Sequence, residues 1–114
     1  MPPVNSLKKN YEFNNIFLRG KRVKGENIDV IYLKNNFGVN RVGIATSKKI
    51  GNSVVRNRIR RLIRENYRLI EKDLVKSFSL IIMWKKEVPA VYATYDNIKE
   101  DLVKIFNKEK MYKE

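Results

Sequence analysis

Arg56, Asn57, Arg60, Arg61, Arg64 and Arg68 recur at spacings that gather them on one side of a helix. On a wheel of about 100° per residue they fall within about 140° of one another, opposite Val55, Ile59, Leu62, Ile63, Leu69 and Ile70 at about 220° to 340°. Arg58 lies at the boundary, at about 200°. Guanidinium forks grip phosphate bidentately and stack on bases, whereas an ammonium acts as a point charge. The chemistry written here is recognition of a polyanion. Lys48, Lys49, Gly51 and Asn52 lie just before the helix, where free backbone N–H groups and the positive end of the dipole add anion affinity.

Most charge runs are ordinary solvated helix faces, but the charge balance argues against that here. Arg41 to Arg68 holds nine basic residues and one acid, Glu65, which is +8 of the net +13, and no compensating i,i+4 partners are expected. Like charges at this density destabilise the free protein, and a polyanion relieves them.

The rest of the composition narrows the classes. The chain has 114 residues, 25 Lys plus Arg against 12 Asp plus Glu, and neither Cys nor His. Disulfide frameworks, thiolate zinc sites, Cys nucleophiles and His acid/base chemistry are excluded. The length and the 43% apolar content fit one domain over residues 1–114. No apolar h-region follows Lys8 and Lys9, and the longest apolar run, Leu80 to Trp84, is too short to span a bilayer, so the chain reads as cytoplasmic. Nucleic acid is the first candidate partner and an anionic membrane surface the second.

The elements that must position these residues follow from pattern. Asn10 caps a helix over Tyr11–Arg19 with Phe13, Ile16 and Phe17 at helical spacing, and Gly20 supplies a left-handed exit. Lys21–Lys24 forms a short edge strand. Ile28–Leu33 and Arg41–Thr46 are strands separated by Asn35-Asn36-Phe37-Gly38 and are expected to be antiparallel neighbours. Asn52 or Ser53 caps a long helix over Ser53–Ile70, Phe78–Lys85 is a buried strand, and Pro89 sits in a loop. Thr94 caps a last helix over Tyr95–Lys108 whose inner stripe is Ile98, Leu102, Ile105 and Phe106. The order αβββαβα gives an α/β (α+β) sandwich around a small sheet.

The run Lys48-Lys49-Ile50-Gly51-Asn52-Ser53-Val54-Val55-Arg56-Asn57-Arg58-Ile59-Arg60-Arg61-Leu62-Ile63-Arg64-Glu65 resembles the RNR signature of the protein subunit of bacterial ribonuclease P. That ribonucleoprotein removes the 5′ leader from precursor tRNA. The resemblance extends to Leu7-Lys8-Lys9 with Phe13 and Phe17, to Arg41-Val42-Gly43 and to the Leu-Ile-Ile strand ending in Lys85, and covers roughly residues 6 to 110.

The resemblance implies an endoribonuclease holoenzyme whose catalyst is the RNA with bound Mg²⁺. The protein, inactive alone and without a cofactor of its own, would hold the leader and stabilise the RNA fold. Its implied partners are the catalytic RNA and precursor tRNA, with no membrane and no small-molecule substrate. Lys48, Lys49, Asn52, Arg56, Asn57, Arg58, Arg60, Arg61 and Arg64 would contact the RNA. The wheel adds Arg68 to them and supports most of the rest, while Arg58 rests mainly on the resemblance. Phe13 and Phe17 match aromatic positions of a leader-binding cleft between first helix and sheet, where stacking contributes about 1–3 kcal/mol per base. A strand aromatic also lines that cleft in relatives. Here Ile31 aligns at its place with Tyr32 adjacent, and a shift of one residue reverses the faces. The loop Asn35–Asn40 has no carboxylate, so no metal site is carried over. The implied fold is a four-stranded mixed sheet with an unusual left-handed βαβ crossover, against the general right-handed rule.

Other readings remain. A general structured-RNA-binding or ribosome-associated protein shares the charge, size and interleaved aromatics. A metal-dependent protein ribonuclease would need clustered carboxylates, and the nearest set is Asp96, Glu100 and Asp101, interspersed with Lys99 and Lys104. DNA binding lacks a dimerising segment, and membrane binding would compete with the sheet for the helix's apolar face.

Overall fold

Leu80, Ile81 and Ile82 are fully buried although successive strand residues point to opposite faces, so their strand must be covered on both sides. The computed structural model, which describes residues 6–113, places it inside a four-stranded sheet. The elements are α1 (Asn10–Arg19), β1 (Lys21–Lys24), β2 (Ile28–Lys34), β3 (Arg41–Ala45), α2 (Ser53–Ile70), β4 (Phe78–Trp84) and α3 (Tyr95–Lys108). Residues 1–5, where part of the expectation about a leader segment falls, lie outside the described residues. No helix among the described residues is long and apolar enough to cross a membrane.

The strand order is β1-β2-β4-β3, with β2 antiparallel to both β1 and β4, and β3 parallel to β4. The expectation that β2 and β3 are antiparallel neighbours is therefore wrong. β4 inserts between them because it has two apolar faces to bury, while β3 carries Arg41 and Gly43 and takes an edge. The loop joining β2 to β3 is fastened to the start of β4. Asn35 N–H donates to Ser77 O (2.8 Å), Asn40 Oδ1 accepts from Phe78 N–H (2.8 Å), and Asn40 Nδ2 donates to Val75 O (2.8 Å).

On one face, α2 and α3 cover Val23, Ile28, Val30, Val42, Leu80, Ile82 and Trp84 with Ile59, Ile63, Tyr67, Ile98, Leu102, Ile105 and Phe106. Thr94 caps α3, its hydroxyl accepting from Asn97 N–H (3.2 Å), and Asn52 Oδ1 caps α2 from Val55 N–H (3.0 Å), both as the sequence implies. The buried stripe of α2 is rotated from the predicted one. Leu69 is 48% exposed, whereas Tyr67 and Asn66 are buried. Asn66, within the stripe, is satisfied there: its Nδ2 donates to Leu62 O and to Tyr95 O at the start of α3 (3.1 and 3.3 Å).

Among the described residues, the opposite face is covered by α1 and the segment before it, in a small cluster of Leu7, Ile16, Ile31 and Ile81 with Phe13, Ala45 and Met83 at its margin. Two expectations for α1 fail. Asn10 is its first helical residue and Lys9 the cap, without a side-chain bond, so packing of Ile16 and Phe13 holds this end instead. Gly20 is extended (φ −77°, ψ 160°) rather than left-handed, and is required for space: a Cβ would stand 2.6 Å from Ile16 O and 2.7 Å from Ile31 Cγ2.

The register of β2 settles which of its two candidates faces α1. Ile31 does, and Tyr32 points to the α3 side, so Tyr32 does not line the space beneath α1. Its ring packs edge-on against Phe78 (5.7 Å), and its hydroxyl donates to Glu109 Oε1 (2.6 Å), which also meets Lys21 Nζ (2.8 Å). Burial, with the Glu109 carboxylate beside it, pushes the Tyr32 phenol up to about 12. Lys21 first, then Tyr32, hold the Glu109 carboxyl below its ordinary range.

The Tyr32 phenol and the Gly43 notch can both be tested by substitution. Because the folded-state phenol pKa exceeds its unfolded value of 10.0, the Tyr32 contribution is fully present below pH 10 and is lost as pH rises through about 12. The stability difference between wild type and Tyr32→Phe should therefore shrink over that window in urea titrations, and a constant difference would refute the linkage. At Gly43 a Cβ would stand 2.4 Å from Phe13 Cε1. Gly43→Val should destabilise by about 1–3 kcal/mol, and Phe13→Ala should lessen that penalty in a double-mutant cycle.

Candidate nucleic-acid interface

α2 presents its cations along one side, as the wheel predicts. Asn57, Arg61 and Arg64 are exposed, and Arg56, Arg60 and Arg68 are partly buried where the side meets Tyr67. Arg60 Nη1 donates to Thr46 Oγ1 (3.0 Å) and Nη2 to Asn57 Oδ1, so its guanidinium is held between α2 and the end of β3. Arg56 donates to Ser53 Oγ (3.3 Å). The Nε atoms of Arg56 and Arg68 are buried without an acceptor among the described residues. Before the helix, Lys48 and Lys49 stand exposed on a single 3₁₀ turn whose start is capped by Ser47, and the first turn of α2 contains no acid to offset its dipole.

Two sequence expectations change in detail. Arg61 does have an i,i+4 partner, Glu65, at 3.9 Å, a long and exposed pair that compensates little of the local charge. Arg58 turns away from the arginine side and donates to Ala93 O (3.1 Å) and Ala90 O (3.3 Å), stapling the turn before α3 onto α2. Arg41 likewise serves the fold, pairing with Glu12 (3.1 Å) and lying 5.2 Å from the Phe37 ring centroid.

The second candidate surface lies under and beside α1. Phe13 sits over Gly43, half-buried, in the notch that the missing side chain provides, and Phe17, one turn on, is 46% exposed. Because residues 41, 43 and 45 of β3 share a face, the Phe13 ring lies between two hollows. One, of about 680 Å³, is bordered by Tyr11, Asn15, Arg19, Leu33 and Arg41; the other, of about 340 Å³, by Arg22, Asp29, Ala45, Thr46, Met83 and Lys85. Thr46 thus touches both surfaces: it borders the smaller hollow and accepts from Arg60.

Arg22, Asp29 and Lys85 were not singled out from the sequence. The available signal was Asp29, a charged residue within the apolar strand Ile28–Leu33. The carboxylates of the rival ribonuclease reading do not converge. Asp101 is buried and accepts from Asn27 N–H (2.7 Å), whereas Asp96 and Glu100 face solvent. Among the described residues no three carboxylates gather as a metal site would need, and Asn35 and Asn40 bond within the loop and to the start of β4.

The sequence and fold of this chain are shared with known proteins. Residues 1–110 match the family model described as Ribonuclease P. The ribonuclease P protein component of a Thermoanaerobacter species (strain X514) is 39% identical over 106 residues, covering 93% of this chain and 90% of the relative. The solved RNase P protein of Staphylococcus aureus superposes with a TM-score of 0.82 at 30% identity, covering 96% of this chain and 99% of that one. The RNase P protein of Thermotoga maritima shares the fold, with a TM-score of 0.81 at 24% identity. The arrangement of four strands and three helices, the signature on α2 and these matches agree: the chain belongs to the ribonuclease P protein component family.

Proposed function

We propose that this chain is the RNA-binding subunit of a ribonuclease P holoenzyme, with its arginine side docked on the catalytic RNA and its α1 groove holding the 5′ leader of precursor tRNA. The observation that carries the reading is the junction at Thr46. Thr46 accepts from Arg60 of the basic side and borders the smaller hollow of the groove, so a substrate strand leaving a docked RNA would pass directly into it. Arg56, Arg60, Arg61, Arg64 and Arg68, with Asn57, Lys48, Lys49 and Asn52, supply phosphate contacts. The partly buried guanidinium groups are pre-oriented and lose little side-chain entropy on binding. Phe13 and Phe17 supply stacking surface, which tolerates any base. Arg58, held by two carbonyls, would act by shaping the turn at 90–93. Bond cleavage is assigned to the RNA and its Mg²⁺, as the family resemblance implies, and binding and orientation to this chain's side chains. The cytoplasm, where tRNA is processed, is the proposed compartment.

Assembly and leader recognition should separate by mutation. Arg60→Ala or Arg64→Ala should weaken binding to ribonuclease P RNA and make the plot of log K against log salt shallower by about 0.7–0.9 for each phosphate left unneutralised. Phe17→Ala should leave that slope unchanged and lower affinity for precursor over mature tRNA by about 5–160-fold, as removal of stacking on one base requires. Identical behaviour of the two kinds of variant would refute a two-surface protein.

The deciding experiment is cleavage of 5′-labelled precursor tRNA at low Mg²⁺ by the protein, a bacterial ribonuclease P RNA, and both. Cutting at the mature 5′ end only by the mixture supports the proposal. A protein that adds nothing to the RNA would instead be a general RNA-binding protein.

A further inference from the structure

Arg58 stands within the basic run of α2, yet both ends of its guanidinium are spent on the protein itself. Nη1 donates to Ala93 O (3.1 Å) and Nη2 to Ala90 O (3.3 Å). The turn it grips is fixed at almost every backbone group. Tyr92 N–H donates to Pro89 O (3.1 Å) and Ala93 N–H to Ala90 O (3.0 Å), while Tyr92 O accepts from Thr94 N–H (2.9 Å) and Asn97 Nδ2 (2.8 Å). Just before it, Trp84 Nε1 donates to Val88 O (2.9 Å). The carbonyls are thus held inward while two apolar side chains project: Val91 is 76% and Tyr92 53% exposed, with Ala93 buried behind them. Val54, 77% exposed, stands one turn before Arg58 on α2. A single exposed apolar residue is ordinary; neighbouring ones on so rigid a backbone mark a contact surface. Such a surface loses little freedom on binding.

Resting on the RNA-docking reading of α2, we infer that the turn at 90–93 extends that interface: Tyr92 stacks on an unpaired base of the catalytic RNA, and Arg58 is a positioning residue that acts through the turn. Continuity with the arginine side identifies the occupant. At about 100° per residue, Arg61 and Val54 fall at about 140° and 160°, between the arginine side and Arg58 at about 200°. The apolar patch therefore adjoins the phosphate-binding cations along the helix. An aromatic ring beside guanidinium groups suits a strand that offers a base next to its own phosphates, and the ring accepts any base. A protein seated here would have to meet the same crowded cations, which a phosphate backbone neutralises. The division of labour also accounts for Arg58, whose charge lies in the basic run while its donors serve the turn.

The test is equilibrium binding of the full chain to a bacterial ribonuclease P RNA over a range of salt concentrations. Tyr92→Ala should lower affinity by about 5–160-fold and leave the slope of log K against log salt unchanged, because a stacking surface is lost and no charge. Tyr92→Phe, which retains the ring, should bind within about twofold of wild type. Arg58→Ala should also lower affinity at unchanged slope, and should add less than about twofold to the loss in Tyr92→Ala. A phosphate contact by Arg58 itself would instead make the slope shallower by about 0.7–0.9 and the two losses additive. If Arg58→Ala does not fold by circular dichroism, the two Tyr92 variants decide. Tyr92→Ala binding within about twofold of wild type, Tyr92→Phe losing as much as Tyr92→Ala, or a shallower slope with additive losses in folded Arg58→Ala overturns the inference. If wild type binds ribonuclease P RNA no better than an unrelated structured RNA, the docking reading fails too; if it prefers that RNA and Tyr92→Ala is unaffected, only the role of the turn fails.

Discussion

The two-sided burial of β4 is the constraint from which the architecture follows. A strand with Leu80, Ile81 and Ile82 all removed from solvent needs a layer on each face, and the two layers are unequal. α2 and α3 make one broad layer with a large core. The short helix α1 and the segment before it make the other, reaching the far edge through the Phe13 ring seated on Gly43, the Glu12–Arg41 pair and Leu7 N–H on Val42 O. The groove is thus what remains when ten helical residues cover a sheet face wider than they are. Its apolar side needs no separate explanation, because it is sheet core left half-covered.

Charge enters as the second organising term. α2 has one side committed to the core and another crowded with guanidinium groups, of which Arg61 has only a long, exposed pair with Glu65. Two of those groups are steadied by neutral oxygens instead, Arg60 by those of Thr46 and Asn57 and Arg56 by that of Ser53, which fix geometry without cancelling charge. Positive potential is therefore retained while conformational freedom is reduced, a combination suited to a phosphate backbone. Tyr67, buried beside this side, marks the limit to which the core extends around the helix.

Much of this was legible in the sequence. The seven elements stand in the predicted order, α3 has its predicted bounds and cap, and the arginine side of α2 was readable from spacing alone because a helix converts spacing directly into angle. What was not legible depended on contacts between distant segments. The placement of β4 between β2 and β3 follows from competition among strands for burial, which no single strand displays. Gly20 carried the usual sign of a helix exit, yet its lack of a side chain answers to the approach of Ile31, far along the chain. Tyr32 and Ile31 could not be told apart until register was known, since adjacent strand residues differ only in the face they take. Arg58 belongs to its helix by spacing and to the 90–93 turn by contact.

The hydrogen bond between Arg60 and Thr46 has a metric consequence. It ties the helix to the strand that floors the groove, so the separation between the two surfaces is set by a few residues of extended β3 rather than by a linker. Strands are stiff along their length, and this one is paired to β4 from Arg41 to Ala45. The protein is therefore a fixed gauge: whatever α2 grips, the aromatic ring over Gly43 lies a constant few residue-lengths away. On the proposed function, a molecule that engages both surfaces would have to match that interval in its own dimensions, a requirement on length rather than on sequence.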